Sequence, residues 1–306
     1  MERTVKDKVR IVGTGLHSGR PVRMTLNPAP AGHGVTFRRT DVTGADAVVP
    51  AMWDRVRPTP LCTRIENDAG TTVSTIEHLM AALAGLGIGN VAVDLDGPEV
   101  PILDGSALPF VRAILAVGVR SLKAPLCAYE IMSAVEVREG EAYARLEPAT
   151  GLEIAFDIEF AEGAIGRQSL ALDMANGTFV RELANCRTFC RLSDVDAMRA
   201  QGLALGGTLD NAVVVDGDTV LTPGGLRLPD EAVRHKMLDA MGDLALAGRP
   251  ILGRYVGHRA GHALTNRLLR EVFATRGAVQ IVEVDGNDAR RLPGVGVTSG
   301  DLAAAA

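Results

Sequence analysis

The run His235-Lys236-Met237-Leu238-Asp239-Ala240-Met241-Gly242-Asp243 carries the first group of side chains able to do chemistry. At about 100° per residue, His235, Asp239 and Asp243 fall within roughly 80° of one another, while Val233, Met237, Leu238, Met241 and Leu244 cover another face. A histidine and an aspartate one turn apart can aim an imidazole nitrogen and a carboxylate oxygen at one metal ion. The same spacing also suits a solvated helix face with an i,i+4 pair, and two ligands do not complete a site.

Glu77-His78 is the second group. Ser74-Thr75-Ile76-Glu77 matches a capping box, which would explain the glutamate without catalysis, and His78 also reads as a partly buried histidine. Yet a carboxylate beside a histidine suits hydrolysis at a metal, because one group holds the ion while its neighbour takes a proton from the attacking water. His78, His235 and Asp239 would supply three protein ligands and leave a fourth position open, the pattern of a catalytic zinc. His262, beside Gly261, is a candidate proton donor, and His258 reads as a surface residue.

Two tempting motifs fail. The glycines of Gly13-Thr14-Gly15-Leu16-His17-Ser18-Gly19 lack dinucleotide spacing, and no Walker lysine follows them. Cys186 and Cys190 have no partner pair, so the four cysteines, with Cys62 and Cys127, read as buried or incidental thiols rather than a zinc knuckle or nucleophile.

These groups must be positioned by a mixture of sheet and helix. Alternating residues predict strands over 22–27, 34–38 and 91–95, a helix from Ile76 to Gly85, and a helix over 108–117 capped by Ser106. Pro125 interrupts the pattern in 121–128, the expected boundary between domains at 1–122 and 128–290. Beyond it, 134–137, 143–146 and 152–160 read as a meander, 230–247 as a long helix, and 291–306 as a mobile tail without core periodicity. A faint echo pairs Met80–Leu86 with Leu238–Leu244, each in a helix followed by a strand; duplication and chance amphipathicity both explain it.

Composition narrows the class. The 306 residues carry 32 basic and 37 acidic side chains, a net charge of −5, so no basic footprint for nucleic acid exists. The apolar stretch 79–93 is interrupted by glycines and Asn90 and is too short to span a membrane, and no signal peptide is apparent, so the expected location is the cytoplasm.

The segments TVSTIEHLMAALAGLGIGNVAVDLDGPEVPILDGSALPFV (72–111), GLHSG (15–19), RTF (187–189), GLALGGTLDNAVVV (202–215), LRLPDEAVRHKMLDAMGDLALAG (226–248) and GHALTN (261–266) resemble the UDP-3-O-acyl-N-acetylglucosamine deacetylase family. These are zinc amidases of lipid A biosynthesis in Gram-negative bacteria. The resemblance implies an α+β fold of two similar domains, each a β-sheet packed on helices with a small insert, and an active site between them. It implies one zinc per chain on His78, His235 and Asp239, with Fe2+ an alternative metal in the cell. Glu77 would be the general base, His262 the proton donor, Asp243 its orienting partner, and Thr188 the stabiliser of the oxyanion. Phe189 and Gly261 would line the substrate site, Lys236 and His17 would lie near its polar head, and Leu192, Val195, Ala204 and Thr208 would wall the acyl passage.

Cys190 and Arg191 depart from the family, which usually has glycine and then an apolar residue there. Residues 301–306, DLAAAA, resemble apolar tails through which some relatives are recognised by a protease, though a frayed end reads equally well. The expected partners are the acylated UDP-sugar, bound by a monomer, and a protease where the tail is such a recognition signal. Two rivals stand beside this reading: a zinc amidase for another N-acetylated sugar, and a catalytically silent nucleotide-sugar binding protein of the same fold.

Overall fold

The structure, a computed structural model, describes residues 1–304. Period-two burial builds its first sheet: Val91, Val93 and Leu95 are buried while Ala92 and Asp94 are half-exposed. Its strand order is Val9–Thr14, Pro21–Pro28, Val91–Leu95, Val35–Arg39 and Val48–Pro50. The expected strands and both early helices are present. Helix α1 spans Glu77–Gly85 and α2 spans Leu108–Val117; Ala107, not the expected Ser106, is the residue that precedes α2, although Ser106 Oγ accepts the Leu108 N–H at 3.3 Å.

The capping box at α1 does not form. Ser74 belongs to the strand Thr72–Ser74, Ile76 precedes the helix, and no side chain caps it. Between them Thr75 has φ 57°, a left-handed conformation that costs a β-branched residue energy. Its hydroxyl donates to Glu99 Oε1 at 2.9 Å, which holds that turn in place.

The second sheet has seven strands and corrects the expected meander. Val135–Glu139 and Ala142–Glu147 do form a hairpin, but Ile251–His258 inserts beyond it. That strand lies antiparallel to Ala142–Glu147 and parallel to Leu152–Glu159. Its near-continuous burial explains the choice, since a strand apolar on both faces gains most from a central place. A small sheet (Val56–Arg57, Arg64–Glu66, Thr72–Ser74) accompanies the first large sheet. Another (Phe189–Arg191, Val213–Asp216, Thr219–Val220), with helix α3 over Leu192–Ala200, accompanies the second. The fold is therefore α+β, with sheets packed on helices.

Helix α4 spans Glu231–Leu244 and continues as a 3-10 turn to Ala247, ended by Gly248 at φ 86°. Helix α5 spans His262–Ala274. Helices α1 and α4 pack directly on each other, and Gly242 is what lets them approach: a Cβ there would lie 2.0 Å from the Glu77 carbonyl oxygen. The core also reaches further toward the C-terminus than periodicity suggested, because Leu292 is buried against Ala128 and Leu252 and Arg181 pairs with Asp301 at 2.6 Å. Ala305 and Ala306 of the apolar tail lie outside the described residues. No helix among the described residues is long and apolar enough to cross a membrane.

Candidate metal centre and active site

The close contact of α1 and α4 brings His78 against His235 and Asp239. The two imidazoles meet edge-on with centroids 5.0 Å apart. Their Nε2 atoms lie 3.6 Å (His78) and 3.2 Å (His235) from Asp239 Oδ1. A tetrahedral zinc with ligands at about 2.1 Å separates them by roughly 3.4 Å, so the donor spacing suits such an ion. Asp239 Oδ1 is also buried without a hydrogen-bond partner, an expensive state that a bound cation would relieve.

The supporting contacts favour ligation. His235 Nδ1 lies 3.0 Å from the Cys186 carbonyl oxygen, which fixes the proton on Nδ1 and leaves Nε2 free as a ligand. Burial lowers the pKa of His78, favouring the neutral ring a metal needs. Burial penalises the Asp239 carboxylate, but His235 and Lys236 outweigh it and hold its pKa well below the usual range. Lys236, expected near the polar head of the substrate, donates from Nζ to Asp239 Oδ2 at 2.8 Å.

Glu77 and His262 occupy the open side. His262 Nε2 lies 3.9 Å from Glu77 Oε1 and 3.9 Å from Asp239 Oδ2. Desolvation of the almost fully buried Glu77 pushes its carboxyl up to about 7. Burial opposes the charged form of His262, but Asp243, Asp239 and Glu77 together raise it to about 9. Asp243 Oδ2 accepts from His262 Nδ1 at 2.8 Å. Gly261, immediately before α5, faces open space.

Two participants escaped sequence reasoning. The Thr63 amide donates to Glu77 Oε2 at 3.0 Å and its hydroxyl to Asp243 Oδ1 at 2.5 Å, so one residue holds both carboxylates. Its only sequence signal was a threonine in a loop, far from either partner. Glu99 is the other. Its carboxylate accepts the amides of His17 and Ser18, each at 2.8 Å, so the glycine-rich turn cradles an anion of its own chain.

His17 faces the loop after α3, where its Nδ1 accepts the Ala204 N–H at 3.3 Å. Ala204 adopts φ 52°, and Thr208 N–H donates to Asn211 Oδ1 on the same loop. Thr188 follows Arg187, which a buried ion pair with Glu231 fastens to the start of α4. Phe189 lies with its ring centroid 6.3 Å from that of His235. Helix α3 buries none of its residues: Leu192 is 43 % exposed and Val195 is half-buried, with Leu205 and Leu209 exposed nearby in sequence. The departures are accommodated, since Arg191 pairs with Asp194 in the first turn of α3 and burial raises the pKa of Cys190. His258, expected at the surface, is half-buried, pairs with Asp157 and stacks on Tyr143.

Three buried metal-ligating side chains, with a carboxylate and a paired histidine on their open side, define a metal-dependent hydrolase site on an α+β scaffold. Comparison with known proteins gives the class its family. The family model described as UDP-3-O-acyl N-acetylglycosamine deacetylase (LpxC) matches residues 2–274. A UDP-3-O-acyl-N-acetylglucosamine deacetylase of Phenylobacterium zucineum is 50% identical over 273 residues, 89% of this chain and 93% of the relative. Proteins of the same name from Myxococcus xanthus and a Shewanella species are 46% and 44% identical, covering 99% and 93% of this chain and 95% and 93% of the relatives. The chain belongs to the UDP-3-O-acyl-N-acetylglucosamine deacetylase family.

Proposed function

We propose that the chain hydrolyses the acetamide of UDP-3-O-(3-hydroxyacyl)-N-acetylglucosamine, releasing acetate and the free amine in lipid A biosynthesis. The observation that carries this reading is the meeting of His78, His235 and Asp239 with Glu77 and the His262–Asp243 pair in one buried site. We assign the metal as one Zn2+ per chain, with Fe2+ a substitute in the cell. When bound, it supplies Lewis acidity toward the amide carbonyl and toward water.

The chain's own residues handle the protons. Glu77, titrating near 7, takes a proton from the attacking water through Oε1, its other oxygen being held by Thr63. His262, charged at neutral pH, gives a proton from Nε2 to the departing amine while Asp243 fixes its other nitrogen. Thr188 is assigned to the developing oxyanion, a contact worth roughly 3–4 kcal/mol in comparable sites. Phe189 and Gly261 flank the sugar, and His17 borders the polar head. The exposed Leu192, with Val195, Ala204 and Thr208, forms the acyl surface, to which Leu205 and Leu209 are added. Lys236 neutralises Asp239.

We read residues 1–122 and 128–290 as two domains with the site between them, in a cytoplasmic monomer. The large sheets support that division, for one uses strands between residues 9 and 50 and 91–95 and the other strands between 127 and 283. Acetate release from acylated and unacylated UDP-N-acetylglucosamine, with and without a chelator, tests the function. Chelator-sensitive release that prefers the acylated sugar is expected. Equal turnover of both sugars points to a different N-acetyl substrate, and no release points to a silent binding protein.

A further inference from the structure

A cavity of about 360 Å³ lies away from the metal ligands, within the range of small-molecule sites. Met80 and Leu83 of α1 and Met241 and Leu244 of α4 form part of its wall, so it abuts the two helices that carry the metal-ligating side chains. Its charge is one-sided. Arg3, Arg249 and His33 line it and no aspartate or glutamate does, in a chain with a net charge of −5. Arg3 is committed, donating to the carbonyls of Leu86 (3.3 Å) and Gly294 (2.8 Å). Arg249 is half-buried at the wall and, among the described residues, has no hydrogen-bond or ion-pair partner. An apolar slot with an uncompensated guanidinium at its wall matches a ligand with one hydrocarbon chain and one small anionic head.

We propose that this cavity binds a single-chain fatty carboxylate, its chain beside α1 and α4 and its head on Arg249. The site is separate from the acyl surface at α3, because none of Leu192, Val195, Ala204 and Thr208 lines it. Calorimetric titration of the metal-loaded protein with dodecanoate, dodecanol and dodecyltrimethylammonium tests the proposal. Two variants accompany it: Arg249→Glu, which reverses the charge, and Ala84→Phe, which fills the slot. Neither residue belongs to the catalytic site, so acetate release and melting temperature report whether each variant is folded.

The expected result is one dodecanoate per chain, with the alcohol and the cation at least tenfold weaker. Arg249→Glu weakens dodecanoate at least tenfold and Ala84→Phe removes its binding. No saturable binding, or equal binding of all three amphiphiles, overturns the proposal. So does binding that both folded variants leave unchanged, which would place the amphiphile elsewhere, as at the α3 surface. Loss in Ala84→Phe without any change in Arg249→Glu overturns the carboxylate assignment.

Discussion

Gly242 of α4 stands against the Glu77 carbonyl of α1 so closely that a Cβ would fall 2.0 Å from that oxygen. No side-chain rotation relieves a clash with backbone, so Gly242→Ala must push the helices apart. The cost is about 1–3 kcal/mol or more, and His78 moves away from His235 and Asp239. Thermal melting and metal content at a fixed free zinc concentration should both fall. Unchanged metal content would mean that the helix contact does not set the ligand geometry.

Asp243 raises the pKa of His262 against the opposing effect of burial. In the proposed mechanism His262 acts in its protonated form, so activity is lost as pH rises through the His262 pKa. Asp243→Asn removes the charge, lowers that pKa and moves the alkaline limb of the kcat/KM profile to lower pH. A loss on the order of 10²-fold in kcat should accompany it. A limb that stays in place would separate His262 from proton donation.

Thr63→Val removes the hydroxyl that donates to Asp243 Oδ1 while keeping the amide on Glu77. A buried acceptor left without its donor costs about 1–3 kcal/mol. Urea unfolding should register that loss, and kcat should fall with little change in KM because the Asp243–His262 pair, not substrate binding, is disturbed.

His17 offers a pH test away from the metal ligands. Burial lowers its pKa, with Glu99 opposing, so the folded state favours the neutral ring that accepts the Ala204 amide. A depressed pKa stabilises the fold above the unfolded value of about 6.5 and loses that contribution as pH falls through the folded value. Hydrogen exchange at Ala204, corrected for its intrinsic pH dependence, should lose protection below about 6.5, and His17→Phe should remove the transition.

Legibility in the sequence followed the range of each interaction. His235, Asp239 and Asp243 are readable because one helix spaces them, and Val91–Leu95 because its burial alternates within one strand. Glu77 misleads for the same reason. Local spacing suggests a cap, whereas the carboxylate is held by Thr63 of another segment. Thr63, Glu99 and Lys236 take their roles from contacts that exist only after folding, and the insertion of Ile251–His258 beside Leu152–Glu159 is likewise a choice made by distant burial. The motifs shared with the deacetylase family supplied the proton donor and base assignments that periodicity alone left open.

In the proposed mechanism Glu77 is the base beside a metal that it does not itself hold. Glu77→Gln keeps an oxygen for the Thr63 amide and loses the ability to take a proton. Metal content and acetate release measured on the same preparation test the claim directly. One metal per chain and turnover lower by about 10²–10⁴-fold are expected. Full turnover with the metal retained would contradict it.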